Sequence, residues 1–119
     1  MQSKDLSGDF QREWEKYLRK QGHKVREPKG IERVLESRNG AKKNYRWLLI
    51  LAQGKSKALN KAEVEDVRYH LKRARGLNQK VYVVIYFQKL EPKVIVLPAE
   101  RVLKQKRMFP AKGGIPWGE

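Results

Sequence analysis

Tyr45-Arg46-Trp47-Leu48-Leu49-Ile50-Leu51-Ala52-Gln53-Gly54-Lys55 is the stretch on which the fold turns. It begins as an almost unbroken apolar run rich in Trp, Leu and Ile. A run of that kind reads as a strand buried on both faces. It stops at Gln53-Gly54-Lys55. Residues two apart on an extended strand point to the same side, so Gln53 and Lys55 are expected to project together from the strand end. A polar pair held on a rigid strand end is a common way to build a site. A strand that leaves the core and ends in water accounts for the pair at least as well.

Upstream, Asn39-Gly40 is a strong hairpin signal. It predicts that 45–53 folds back antiparallel on a strand over 31–37, in which Ile31, Arg33 and Leu35 share one side and Glu32, Val34 and Glu36 the other. Residues 24–27 form a shorter strand, stopped by Pro28 and Gly30. Before it, Phe10, Trp14, Tyr17 and Leu18 recur at helical spacing. That predicts a helix from Gly8, capped by Ser7 or Asp9 and ended by Gly22.

Downstream, Asn60 and Glu63 form a capping-box pair, and Val64, Val67, Leu71 and Ala74 make one apolar helical face ending at Gly76. Residues 81–87 are nearly all β-branched or aromatic and read as a buried strand. Because a helix crosses between them, 45–53 and 81–87 are expected to run parallel. A strand over 94–97 and a helix over 98–106 complete the order: helix, three strands, helix, two strands, helix. This is an α/β architecture, a mixed sheet of about five strands flanked by helices. The reading is one domain over 1–119, with 1–7 and 108–119 as peripheral tails.

Charge narrows the function. Lys and Arg total 28 against 13 acids in 119 residues, a net charge of +15. The basic residues are interleaved with apolar ones, which points to a folded surface for a polyanion, nucleic acid first. Cysteine is absent, so thiol nucleophiles and cysteine zinc sites are excluded. His23 and His70 lack metal-ligand spacing and read as a turn residue and a surface or half-buried structural residue. No apolar segment is long enough to span a membrane, and the start of the chain lacks a signal-peptide core, so a cytoplasmic protein is expected.

Helix, antiparallel hairpin, crossover helix and strand, carrying Gly8-Asp9-Phe10-Gln11, Gly30-Ile31-Glu32 and Gln53-Gly54-Lys55, resemble the PD-(D/E)XK nucleases. The resemblance is to the small archaeal and viral Holliday junction resolvase-like endonucleases in particular, and covers roughly residues 8–105. It implies a restriction-endonuclease-like fold and a metal-dependent DNA endonuclease acting on branched or duplex DNA. In that family an acid lies on the second strand, and an acid-x-Lys pair ends the third. Here Glu32 takes the first position, Gln53 replaces the second acid, and Lys55 is the lysine. Gln11 stands where a helix-one Glu is usual, with Glu13 close by.

The resemblance assigns Mg²⁺ or Mn²⁺, weakly held by Glu32, Gln53 and the carbonyl of Gly54, with Lys55 orienting water or stabilising the phosphorane. It also implies a homodimer, for which Met108, Phe109, Ile115 and Trp117 can supply apolar contacts. The expected phosphate contacts are Lys42, Lys43, Lys55, Lys57, the helical stripe Arg68, Lys72 and Arg75, and the cluster Arg101, Lys104, Lys106 and Arg107. The competing reading is a DNA-binding protein that keeps this fold without its chemistry.

Overall fold

A computed structural model describes residues 6–31, 33–40, 43–88 and 94–109. In chain order the elements are α1 (Leu6–Lys20), β1 (Lys24–Arg26), β2 (Val34–Arg38), β3 (Asn44–Ala52), α2 (Lys61–Gly76), β4 (Lys80–Phe87), β5 (Val94–Pro98) and α3 (Ala99–Lys104). The five strands make one sheet in the order β1-β2-β3-β4-β5. All neighbours are antiparallel except β3 and β4, which run parallel as the helical crossover requires. No helix among the described residues is long and apolar enough to cross a membrane.

From Tyr45 to Ala52, β3 is apolar apart from Arg46, because both of its faces are covered. Leu48, Ile50 and Ala52 join Val67 and Ala74 of α2 and Val102 of α3 in one core. Trp47 and Leu49 join Phe10, Trp14 and Leu18 of α1 in the other. Strand alternation thus divides the run between two layers. The α1 layer is aromatic: Trp14 meets Trp47 edge-on at 5.7 Å, and Trp47 stacks on Tyr82 at 5.2 Å.

Local signals set most boundaries. Asn60 Oδ1 accepts from the Glu63 amide at 2.8 Å, and Glu63 Oε1 accepts from the Asn60 amide at 2.9 Å, the capping box read from the sequence. Gly22, with φ +90°, closes α1, and the His23 amide reaches back to the Leu18 carbonyl at 3.0 Å. Gly40 takes φ +79° in the hairpin.

Three expectations are revised. α1 begins at Leu6, so Ser7 and Asp9 lie within the helix and not before it. α3 is confined to Ala99–Lys104. α2 ends at Gly76 as expected, and Asn78 beyond it takes the left-handed conformation at φ 53°. β2 starts at Val34, because Arg33 sits at φ 60° and leaves the extended pleat. Ile31 consequently packs with the α2-side core, whereas Leu35 faces α1. The single alternation expected through 31–37 is broken at Arg33.

A buried polar cluster ties the layers together. Arg46, 2% exposed, donates from Nη2 to Glu36 Oε2 at 2.8 Å and from Nε to Gln79 Oε1 at 3.0 Å. Its Nη1 lies 3.0 Å from His70 Nδ1. A guanidinium only donates, so His70 accepts at Nδ1 and is neutral. Burial, and then the Arg46 charge, hold the His70 imidazole below its ordinary range. Burial alone lowers His23. Burial works to raise Glu36, but hydrogen bonds from Gln79 and Arg26 and the charges of Arg46 and Arg26 outweigh it and keep the carboxyl low.

These shifts predict the pH profile. A histidine lowered in the folded state leaves the unfolded chain holding more protons just below pH of about 6.5. Stability is therefore lost as pH falls from there towards the folded values. The lowered Glu36 adds a further loss below a pH of about 4.3. Urea unfolding midpoints should drop between pH 7.5 and 5.5, and His70→Gln, which keeps an acceptor for Arg46, should shrink that drop. An equal drop in both proteins would exclude His70 as the cause.

Candidate active site at the end of the third strand

β3 ends at Ala52, whose carbonyl accepts from the Gln88 amide at 3.2 Å. Gln53, Gly54 and Lys55 follow on an exposed turn. Neither Gln53 nor Lys55 has a hydrogen-bond or ion-pair partner among the described residues. An amide oxygen, a peptide carbonyl and an unpaired ammonium thus stand together in water at the end of the central strand.

The turn is held from behind. Lys57 and Met108 exchange two backbone hydrogen bonds of 2.8 and 2.7 Å, an antiparallel bridge just after the turn. The Met108 side chain is 1% exposed in the α2-side core. Arg107 Nη1 donates to Ser56 Oγ at 3.0 Å. Met108 therefore packs on its own domain core, which removes it from the expected dimer contacts. Phe109 is exposed; Ile115 and Trp117 lie outside the described residues.

The other expected residues fare differently. Glu32 lies outside the described residues. Its neighbours Ile31 and Arg33 line a cleft of about 490 Å³ against Glu63, Asp66 and His70 of the α2 side. The pleat of β3 directs its odd-numbered residues towards α1. Glu13 is exposed and pairs with Lys16 at 3.7 Å on the surface of α1. Gln11 donates to Glu27 Oε1 at 2.6 Å. Among the described residues no three His, Asp or Glu side chains converge.

The described donors, the Gln53 amide oxygen and the Gly54 carbonyl, are hard neutral oxygens. They fit Mg²⁺ or Mn²⁺ better than a thiophilic metal, and hold it loosely without a carboxylate.

The expected phosphate contacts also separate. Lys55 and Lys43 are exposed, as are Arg68, Lys72 and Arg75 along α2 and Lys104 and Lys106 near the C-terminal end. Lys57 is already committed: its Nζ lies 3.1 Å from Glu63 Oε1, with both side chains mostly covered. Arg101 donates to Gln105 at 2.9 Å. Lys42 lies outside the described residues.

The Arg46–Glu36–His70–Gln79 cluster escaped the sequence reading. The available signal was Arg46 itself, a charge inside a run otherwise destined for burial. Such a charge needs an acid from a neighbouring strand, and Glu36 is its register partner on β2.

Among solved structures, Archaeoglobus fulgidus Hjc, a Holliday junction resolvase from an archaeal hyperthermophile, matches with a TM-score of 0.67 at 17% identity, over 94% of this chain and 92% of that one. The chain has the resolvase fold. No family model matches the sequence, and no curated protein matches it. At this identity the likeness is one of fold, with the five-stranded mixed sheet and flanking helices in the same order. In the resolvase-like fold of this chain, Gln53-Gly54-Lys55 occupies the end of the central strand.

Proposed function

We propose that this chain is a metal-dependent DNA endonuclease of resolvase type, hydrolysing phosphodiester bonds in branched or duplex DNA. The observation that carries the reading is the exposed Gln53-Gly54-Lys55 turn, without a side-chain partner among the described residues, at the end of the central strand of a resolvase fold. The net charge of +15 supplies the affinity for DNA.

Glu32, Gln53 and the Gly54 carbonyl would hold Mg²⁺ or Mn²⁺. A bound divalent ion supplies charge neutralisation at the phosphate and an acidified water. Lys55 places its ammonium against the charge that develops on the phosphate oxygens and orients the attacking water. Gln53 contributes a neutral oxygen where the family resemblance has an acid, so metal affinity is weak and one ion is used. A homodimer would set two such turns against two strands.

The test is cleavage of end-labelled four-way-junction, flapped and linear DNA with Mg²⁺ or Mn²⁺, alongside sedimentation of the free protein. Metal-dependent cutting is the expected result. Tight binding with no cutting on any substrate at any metal concentration would leave a DNA-binding protein on a nuclease fold, the reading that Gln53 favours.

A further inference from the structure

The end of the sheet away from Gln53 carries positive charge that the nuclease reading does not use. β1 is an edge strand. Its register sets Lys24 opposite Arg38 and Arg26 opposite Glu36. Arg26 is neutralised, with Nη2 2.7 Å from Glu36 Oε1. Lys24 and Arg38 are exposed and have no ion-pair partner among the described residues. Like charges directly opposite on neighbouring strands destabilise the ladder. Charge on an edge strand also discourages edge-to-edge pairing, but that explains Lys24 and not Arg38, which is on the inner strand.

Two clefts meet at this pair. One, of about 370 Å³, is lined by Lys24, Arg26, Glu36, Arg38, Asn44 and Gln79. The other, of about 320 Å³, is lined by Gly22, Lys24, Arg38 and Gly40. Among the described residues the only acid lining either is Glu36, and it is already shared between Arg26 and the buried Arg46. A concave surface with a guanidinium fork and an ammonium, both uncompensated, is built for phosphate oxygens.

We propose that the Lys24–Arg38 clefts grip the phosphate backbone of duplex DNA as a contact separate from the Gln53–Lys55 turn. Asn44 lines the first cleft, and the nine-residue β3 runs from Asn44 to Ala52, beside the turn. At about 3.3 Å per residue the two ends stand roughly 26 Å apart. At 3.4 Å per base along a strand, a duplex touching both spans roughly eight base pairs. That reach, with the net charge of +15, selects a polymer over a free phosphate. The proposal rests on the DNA-binding half of the reading above and not on cutting.

The experiment compares full-length wild type, Lys24→Gln/Arg38→Gln and a charge-matched control, Lys20→Gln/Lys61→Gln. Binding of a labelled 20-base-pair duplex is followed by fluorescence anisotropy between 50 and 200 mM salt. Each phosphate contact contributes about 0.9 to the log–log salt slope. The Lys24/Arg38 variant should therefore lose close to 2 from that slope, with a fall in low-salt affinity of about tenfold or more, and the control should keep its slope. Its melting temperature should hold or rise, since a repulsive pair is removed.

Equal slopes in the variant and the control would overturn the proposal, as would failure of the wild type to bind duplex. Inorganic phosphate that displaces the duplex at micromolar levels would also overturn it, in favour of a small-anion site. Absence of cutting by the wild type defeats the nuclease reading alone and leaves this comparison standing.

Discussion

Arg46→Ala is expected to cost about 3–5 kcal/mol of unfolding free energy, the usual penalty for leaving one partner of a buried ion pair uncompensated. Arg46 and Glu36 are 2% and 5% exposed, and the guanidinium also satisfies Gln79 and His70. Its loss strands a buried carboxylate that, among the described residues, Arg26 on the exposed edge and the Gln79 amide still serve. It also opens the joint between β2, β3 and the end of α2. In a chain of this size the change corresponds to a fall in melting temperature of roughly 10–20 °C. Urea unfolding at pH 7 measures it, and a loss below about 1 kcal/mol would mean that water reaches the cluster. Arg46→Met combined with Glu36→Leu should recover much of the stability, because an apolar pair carries no desolvation cost.

Lys55→Ala should leave the fold untouched and slow cutting by about 10²–10³-fold, the loss typical of removing one group that stabilises transition-state charge. Lys55 is exposed and makes no contact among the described residues that the fold could miss. One charge out of a net +15 changes DNA affinity only a few-fold. The informative result is the combination: unchanged melting temperature, near-normal binding and lost turnover under single-turnover conditions with Mg²⁺. Wild-type cutting rates in the variant would move the chemistry away from this turn. A matching fall in affinity and rate would make Lys55 a binding residue only.

The readable part of this protein is its local and periodic part. The apolar run before Gln53 predicts the central strand because a strand covered on both faces tolerates no alternation. Asn39-Gly40 and the Asn60/Glu63 box predict a turn and a helix start, since both are settled within a few residues of chain. From these, the order of elements and the parallel β3–β4 pair follow by connection rules. The exposed Gln53-Gly54-Lys55 turn was legible in the same way, as the place where the apolar run stops.

The rest was decided by residues far apart in sequence that only the packed sheet brings together. Arg33 turns left-handed and starts β2 at Val34, which no pattern in 31–37 announces. Lys57, which reads as a free cation beside Lys55, is taken up by Glu63 once the turn docks on α2. Met108 reads as part of a loose tail, yet it closes a bridge with Lys57 and enters the core.

Arg46 shows the division most plainly. The sequence by itself places a charge in a buried strand; strand register then supplies Glu36, and the packing of α2 supplies His70. The sequence determines which segments become strands and helices, because those preferences act over a few residues. Which side chains meet is determined by register and by the docking of layers, and there a shift of one residue exchanges every partner.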